Sequence, residues 1–377
     1  MTDSTGVTVI AYRSAFDFAG GRSWSLHAQP DLVIGEPTVE LYSVRAARFQ
    51  SDGDIMVADG GARELLLFDT EGNLRSRAGG EGEGPGEFTM LADLSVGPAD
   101  SLYVYDGRTR RLSVFDESGS FARSLTVEGH GLGRITDVRV LSTGHVVVAF
   151  HRRTDGAGLV RDSLVVARFD LSGNVLDTVG TFPHSFTHWG PHSLPGETGP
   201  ITMPAPVALS PLTIIGTGHS ILYIGLADRY ELIRIDEHDN GRVTRQQHPL
   251  PLITDAHRDS LFTRLAAGGR VGPEEEFLRE LAGPTTVPAF GDEPLTQGYD
   301  EALIVTDVGG VWVRPFALDG SASSEWPRFG PDGRYEGTVT VPSSFRPTDV
   351  RGDVVLGVHR DRQDVESVRV FRVVEVP

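Results

Sequence analysis

One unit of sequence recurs along the chain, and this repetition constrains the fold more than any other feature. Each clear copy joins two short apolar runs through a polar turn, and the second run ends in Phe-Asp with a Gly three residues further on. The second copy starts at Leu102, 47 residues after the first copy starts at Ile55. Clear copies cover residues 55–72, 102–119 and 146–173, and weaker copies cover 220–236, 302–316 and 353–374. A repeat of this length indicates a chain built from similar supersecondary units.

The runs within each unit are typical of β-strands. They are rich in β-branched and aromatic residues and are separated by Gly, Asp, Asn and Ser, the pattern of antiparallel meanders. Six four-stranded sheets stacked around an axis bury both faces of each sheet. The repeat therefore predicts an all-β fold, a six-bladed β-propeller of four-stranded antiparallel blades. An apolar share of 39% is enough for a large core, and we expect a single domain across residues 1–377.

Two segments fall outside the repeat. The last blade must borrow a strand to close the ring, because the first and last sheets otherwise meet at an open edge. We expect residues 1–40 to supply it, through Val7–Tyr12 or Trp24–Leu26. Residues 255–283 break the β pattern with apolar residues at helical spacing and a Pro-Glu start, which predicts a small helical insertion between blades 4 and 5. This insertion is either a surface cap or a lid over one face.

Composition excludes several classes of function. The chain has no Cys, and all 34 basic residues are Arg, so thiolate nucleophiles, disulfides and lysine Schiff bases are excluded. A net charge of -18 disfavours binding to nucleic acid and to anionic membrane surfaces. No apolar run approaches the roughly 20 residues that a membrane-spanning helix needs. We therefore expect no nucleic-acid partner and no transmembrane segment.

A glycine-rich stretch after the first unit carries a family resemblance. Residues Gly79 to Phe88, together with Trp24–Leu26 and Leu32 to Gly35, resemble bacterial six-bladed β-propeller proteins related to NHL repeats. The resemblance is strongest through residue 180. It implies the fold and, because such proteins commonly carry an export or lipoprotein leader, a periplasmic or cell-envelope location after a leader has been removed. We also expect Phe88 to pack between blades, with the glycines allowing close passage of the chain.

Candidate ligand-binding residues lie in the predicted connections. In propellers, the connections between blades and the turns between second and third strands share one rim, where ligands usually bind. His130, Trp189 and several other histidines fall in predicted inter-blade connections, and His151 and His359 follow second strands. The rim is therefore the expected site for a small molecule, glycan or peptide, with His130, His151, His359 and Trp189 as the candidate residues.

Two residue sets are candidate metal ligands. His184, His188 and His192 are spaced four apart, and neutral imidazoles bind zinc and similar ions. Pro183 and Pro191 argue against a helix there, so the equal spacing does not guarantee a common face. The alternative interpretation is that these are ordinary surface histidines.

The second set is Asp93, Asp137 and Asp349, which begin predicted innermost strands, the last two within a repeated Thr-Asp-Val-Arg. They could ring the central channel and hold a hard cation such as calcium or manganese. The alternative is structural, with Asp137 paired to Arg139 and Asp349 paired to Arg351 across blades. A third group, Asp59, Asp106 and Asp307, is expected to end second strands and cap turns.

These features lead to two functional hypotheses. The first is an exported, monomeric binding scaffold that recognises a peptide, glycan or small ligand on the rim formed by inter-blade loops. The second is a metal-dependent hydrolase or lyase, similar to the lactonases or the peptidyl-hydroxyglycine lyases, with zinc, manganese or calcium at the central channel mouth. A purely structural interaction module would differ from both in lacking a polar pocket. No G-x-S-x-G nucleophile motif is present.

Overall fold

The computed structural model describes residues 2–4, 7–12, 21–35, 37–192, 199, 201–207, 209–236, 239–246, 253–257, 259–260, 263, 288–290, 301–316 and 323–376. The N-terminal strands are β1 (Thr2–Ser4), β2 (Val7–Tyr12), β3 (Arg22–Leu26) and β4 (Leu32–Ile34). Blade 1 comprises β5 (Val44–Phe49), β6 (Ile55–Asp59), β7 (Glu64–Phe68) and β8 (Leu74–Gly79). Blade 2 comprises β9 (Leu91–Val96), a 3-10 turn (Pro98–Asp100), β10 (Leu102–Asp106), β11 (Arg111–Phe115) and β12 (Phe121–Thr126).

The remaining strands form four further blades. Blade 3 comprises β13 (Arg134–Val140), β14 (Val146–Arg152), β15 (Gly158–Phe169), β16 (Val175–His192) and β17 (Ile201–Pro206). Blade 4 comprises β18 (Thr213–Gly218), β19 (Ile221–Leu226), β20 (Glu231–Asp236) and β21 (Asp239–Gln246). Blade 5 comprises β22 (Leu303–Val305), β23 (Val311–Val313), β24 (Ser323–Phe329) and β25 (Tyr335–Pro342). Blade 6 comprises β26 (Phe345–Arg351), β27 (Val354–Arg360) and β28 (Glu366–Val376).

The first strands of the six blades form a closed ring. Each blade is an antiparallel sheet in which neighbouring strands follow one another in sequence. The innermost strand of each blade contacts that of the next, in the order β5, β9, β13, β18, β22 and β26, and β26 returns to β5. This arrangement confirms the predicted all-β, six-bladed propeller. Helical residues occur between 255 and 263, between blades 4 and 5 as predicted, and the rest of the 255–283 insertion lies outside the described residues.

N-terminal strands complete the outer edges of three blades. β4 pairs with β28 and forms the fourth strand of blade 6. β3, which contains Trp24–Leu26, lies between β28 and β25 and so joins blades 5 and 6. β2, the Val7–Tyr12 run, instead pairs in parallel with β21 of blade 4. The apolar pattern of a strand does not specify which free sheet edge it joins. The sequence therefore could not show that Val7–Tyr12 and Trp24–Leu26 join different blades.

Hydrogen bonds from buried and half-buried side chains fasten blade 6 to blade 1. The Val44 N–H donates to Glu366 Oε2 at 2.6 Å, and Arg346 Nη2 donates to the Val44 carbonyl at 2.6 Å. Arg351 Nη1 donates to the Gln50 carbonyl at 2.7 Å. Hydrogen bonds between a charged group and the backbone are stronger than neutral ones, so these contacts strengthen the seam between the first and last blades.

Apolar side chains between blades form the core, as the Gly79 to Phe88 connection illustrates. Phe88 is fully buried between blades 1 and 2, and its ring centroid lies 6.0 Å from that of Phe115. Gly79 adopts φ +97°, and a Cβ there would lie 2.9 Å from both the Phe88 ring and the Arg63 carbonyl oxygen. The connection therefore needs glycine where the chain passes Phe88.

Aspartates at the ends of second strands tie the connections to the blades. Asp106 accepts the N–H groups of Arg108 and Thr109 through Oδ1 and that of Met90 through Oδ2, at 2.9 to 3.0 Å. Asp59 plays the same part at the end of β6. Asp307 differs from the expectation, because it follows β22, the first strand of blade 5. The first two strands of that blade have only three residues each, so residues 302–316 form its first hairpin rather than its second and third strands.

Candidate functional site

Bulges in the innermost strands place charged side chains at the axis. The pairing register of β9, β13 and β26 shifts by one residue just before Asp93, Asp137 and Asp349 respectively. Alternate residues of a strand share a face, so each aspartate shares its face with the residue two positions later. That residue is Arg139 in β13 and Arg351 in β26, and both arginines line a cavity at the centre of the propeller.

Arg139 is the centre of an ion-pair network. Its Nε lies 2.9 Å from Asp137 Oδ1, and its Nη1 lies 2.7 Å from both Asp93 Oδ2 and Glu301 Oε1. Arg48 of blade 1 also pairs with Glu301. The Arg139 side chain is only 13% exposed, so the carboxylates that surround it replace the water that a guanidinium normally requires.

Asp349 is engaged differently. Its Oδ2 accepts the Phe49 N–H of blade 1 at 2.9 Å. Arg351, two residues on, donates to blade 1 carbonyls rather than to Asp349. Asp137 therefore pairs with Arg139 as the structural alternative expected, but within one strand rather than across blades. Asp349 and Arg351 do not pair as expected and instead bond separately to the neighbouring blade.

Burial controls the protonation of this network. Burial raises the pKa of Asp93 to about 7, because the attraction of Arg139 offsets only part of the lost hydration. Burial also raises the pKa of Asp137 and of Asp349. Burial alone would raise the pKa of Glu301, but the Arg48 and Arg139 guanidinium groups outweigh it and lower the pKa. Asp93 can therefore gain or lose a proton near neutral pH, while Glu301 stays ionised.

A cavity of about 540 Å³ lies beside this network. Its charged wall includes Arg48, Arg139, Glu301 and Asp349, whereas β18 and β22 contribute only uncharged residues to the opposite wall. The mouth is bordered by turns between first and second strands, with Ser51, Asp100, Ser142, His219 and Asp307. These turns lie at the end of the blades opposite to the inter-blade connections. The cavity thus opens on the other face from the rim singled out in the sequence.

A second polar cluster lies on the inter-blade rim of blade 3. His151 Nε2 lies 2.9 Å from Oδ2 of Asp162, a fully buried carboxylate. Asp162 also accepts the Thr187 hydroxyl at 2.6 Å and the Thr154 N–H at 2.8 Å. Trp189, another predicted rim residue, donates from Nε1 to the Thr154 carbonyl at 2.9 Å. Asp162 therefore organises the loop that carries both predicted residues.

His184 stands beside this pair. Its ring lies edge-on to that of His151, with 5.2 Å between the ring centroids. The Thr213 N–H donates to His184 Nδ1 at 3.1 Å, which places the ring hydrogen on Nε2. Burial, helped by His151 and by the Arg161 and Arg134 charges, lowers the pKa of His184 to about 3. His184 is therefore a neutral hydrogen-bond donor at any ordinary pH.

The remaining histidine candidates are not gathered around these two. His184 and His188 belong to one continuous strand, β16, in which residues four apart are separated by roughly 13 Å. His192 ends that strand, and its side chain lies outside the described part of the structure. Among the described residues, no group of three His, Asp or Glu side chains has the arrangement of a metal site.

His130 and His359 occupy separate places on the surface. His130 is exposed and packs on the Phe169 ring, with 5.6 Å between centroids. His359 is on β27 of blade 6, where its Nδ1 is buried without a hydrogen-bond partner among the described residues, and burial lowers the pKa of the ring. Sequence reasoning missed Asp162 and Glu301. The first had a weak signal, a carboxylate flanked by Arg161 and Ser163 between the apolar pairs Leu159-Val160 and Leu164-Val165, whereas Glu301 had none.

Comparisons with known proteins agree with this architecture. Residues 39–128 match the model of the DUF5128 family, described as a 6-bladed beta-propeller. The chain is a six-bladed β-propeller. The match includes the Gly79 to Phe88 stretch, so the resemblance to bacterial six-bladed propellers is confirmed. A search of curated protein sequences finds no match.

Solved structures show the same fold at low identity. A protein from Bacteroides fragilis, whose name describes it as exported, is 12% identical with a TM-score of 0.54, covering 98% of this chain and 100% of that one. A DUF4221 family member from Bacteroides vulgatus is 10% identical with a TM-score of 0.54, covering 94% and 100%. A streptogramin B lyase reaches 10% identity and a TM-score of 0.43 over 89% and 84%. The two structures with a TM-score of 0.54 support the fold and not an activity. Among the described residues, no helix has the length and apolar character needed to cross a bilayer.

Proposed function

We propose that the protein is a ligand-binding propeller of the cell envelope that takes a small polar ligand into its central cavity. The observation that carries this proposal is the 540 Å³ cavity with one charged and one uncharged wall. Binding sites for small molecules usually have this range of volume and a few convergent polar groups among less polar surroundings. The envelope location rests on the resemblance to exported propellers.

The chemistry of the charged wall favours a ligand with both donors and acceptors. Arg48 and Arg139 offer guanidinium donors, and Glu301 and Asp349 offer carboxylate acceptors within the same wall. These groups nearly neutralise one another, so the wall does not select a strongly charged ligand. A glycan unit or the zwitterionic end of a peptide matches this alternation, since hydroxyl, ammonium and carboxylate groups can each find a partner.

The proposal is tested by blocking the cavity mouth with a bulky side chain and measuring ligand binding. Ser142 is exposed at the cavity mouth, and Thr143, the next residue of the same turn, does not line the cavity. Monosaccharides, disaccharides, amino acids and dipeptides are screened by thermal shift, and a positive probe is then titrated by calorimetry. Ser142→Trp should weaken its binding at least roughly tenfold, a loss of about 1.4 kcal/mol, whereas Thr143→Trp should bind as wild type does. If no probe raises the melting temperature, or if Ser142→Trp binds unchanged, the cavity is not the binding site.

A further inference from the structure

The His151 and Asp162 pair has the geometry of a general base held by a buried carboxylate. His151 Nε2 donates to Asp162 Oδ2, so the lone pair of the ring is on Nδ1. Among the described residues, Nδ1 has no hydrogen-bond partner, and the side chain retains 14% exposure. Asp162 is fully buried and accepts two further hydrogen bonds, from Thr187 and Thr154. Asp162 thus fixes both the ring orientation and the tautomer of His151.

His184 supplies a complementary group beside that base. Its Nδ1 is occupied by the Thr213 N–H, so its Nε2 carries a hydrogen that can be donated to a substrate. The edge-on contact with the His151 ring, at 5.2 Å between centroids, places the two groups within reach of one small molecule. Arg161 donates from Nε to the His184 carbonyl at 3.1 Å and pairs with Asp228 at 2.8 Å, which holds this part of β16 in place.

We propose that this cluster is a hydrolytic site for carboxylic esters, in which His151 is the general base and His184 polarises the ester carbonyl. It is distinct from the central cavity, which opens at the opposite end of the blades. The described titratable and charged groups close to the two histidines include Asp162, Arg161, Arg134 and Asp228.

The proposed reaction is balanced without a further reactant. His151 Nδ1 takes a proton from water as the water oxygen attacks the carbonyl carbon, and the oxyanion formed accepts the His184 Nε2–H. The ionised Asp162 stabilises the His151 imidazolium. Collapse of the tetrahedral intermediate breaks the bond to the alcohol oxygen, which takes the proton from His151. The products are a carboxylic acid and an alcohol.

The probe for this activity is p-nitrophenyl acetate, whose hydrolysis by the full chain is followed through release of p-nitrophenolate. His151→Gln should lower the protein-dependent rate by about 100-fold, the lower end of the usual contribution of a general base. His184→Gln should also reduce it. The matched control is His27→Gln, which removes an exposed histidine between β3 and β4, outside blade 3, and should keep the wild-type rate.

Two further variants separate chemistry from folding. Asp162 is a positioning residue, so Asp162→Asn should lower the rate and also displace the midpoint of the pH-rate profile, which a structural effect alone would not do. His151→Ala should regain activity when free imidazole is added, provided that its melting temperature shows a folded protein. Three results overturn the proposal: wild type no faster than buffer, His151→Gln as fast as wild type, or His27→Gln as slow as His151→Gln.

Discussion

Replacing Asp93 with Asn should stabilise the protein most in alkaline solution and leave it unchanged only below about pH 3.8. Burial raises the pKa of the folded-state carboxyl from 3.8 to about 7. Between these two values the folded protein keeps a proton that the unfolded chain has lost, so the free energy of unfolding falls as pH rises. Above the folded-state pKa, the wild type contains a buried carboxylate whose lost hydration Arg139 does not fully offset.

The size of the effect follows from the pKa difference. Each pK unit corresponds to about 1.36 kcal/mol, so the shift from 3.8 to about 7 sets an upper limit of about 4 kcal/mol. The Asn side chain has the shape of the protonated acid and cannot ionise. The variant should therefore gain up to this amount relative to wild type at about pH 8.5, gain only part of it at about pH 5, and match wild type only below the unfolded-state pKa of 3.8.

Urea denaturation followed by tryptophan fluorescence measures this difference, because Trp312 and Trp326 are buried in the core. The control is Asp170→Asn. The hydrogen bonds that Asp170 accepts from the Asn174 side chain and N–H lower the pKa of that carboxyl, so its loss should destabilise the protein at neutral pH. A less stable Asp93→Asn at alkaline pH would show that the ion pair with Arg139 outweighs burial, and would refute the reasoning.

Three other substitutions, one of them with a matched control, test the rim, the outer strands and the seam. The pKa of His184 is lowered from 6.5 to about 3 by burial, so wild-type stability should fall below about pH 6.5 as the unfolded chain takes up a proton, and His184→Gln should weaken that fall in melting temperature. Gly337→Ala would place a Cβ 1.8 Å from a backbone oxygen of β3 and should be severely destabilising in urea, whereas Gly352→Ala, at φ +56° in open space, should cost about 1 kcal/mol. Glu366→Gln weakens the bond to the Val44 N–H and should cost roughly 1.5–3 kcal/mol by the same assay.

The blades could be predicted because their turn chemistry is local. Asp69 accepts the N–H groups of Glu71 and Asn73, and Gly72 takes φ +83° in the same turn. A Phe-Asp-x-x-Gly sequence therefore marks the end of a third strand wherever it occurs. Asp137 and Asp349 could be placed at the axis for a similar reason, since a repeated Thr-Asp-Val-Arg indicates an equivalent position in two blades.

Contacts between segments that are distant in the sequence could not be predicted from a local motif of this kind. Arg48 and Glu301 are separated by 253 positions and meet only because the ring closes. His151 is on β14 and His184 is on β16, and both strands pair with β15. The two rings meet across β15 where its register with β16 is irregular, between Arg161 and Ser163. The sequence spacing of four between His184 and His188 suggested a common metal site, but an extended strand keeps the two positions apart. Side-chain spacing can be interpreted only once the backbone conformation is known.

Closure of the ring and formation of the cavity depend on the same strand. β26 carries Arg346 and Arg351, which bond to the backbone of blade 1, and also Asp349, which lines the cavity. Arg48, on the other side of this seam, donates to the Thr348 carbonyl and pairs with Glu301. The charged wall therefore exists only when blades 1 and 6 are joined. A change that loosens the seam should lower the affinity of the cavity for its ligand even when no cavity residue is altered, since the apparent affinity scales with the fraction of molecules in the closed state.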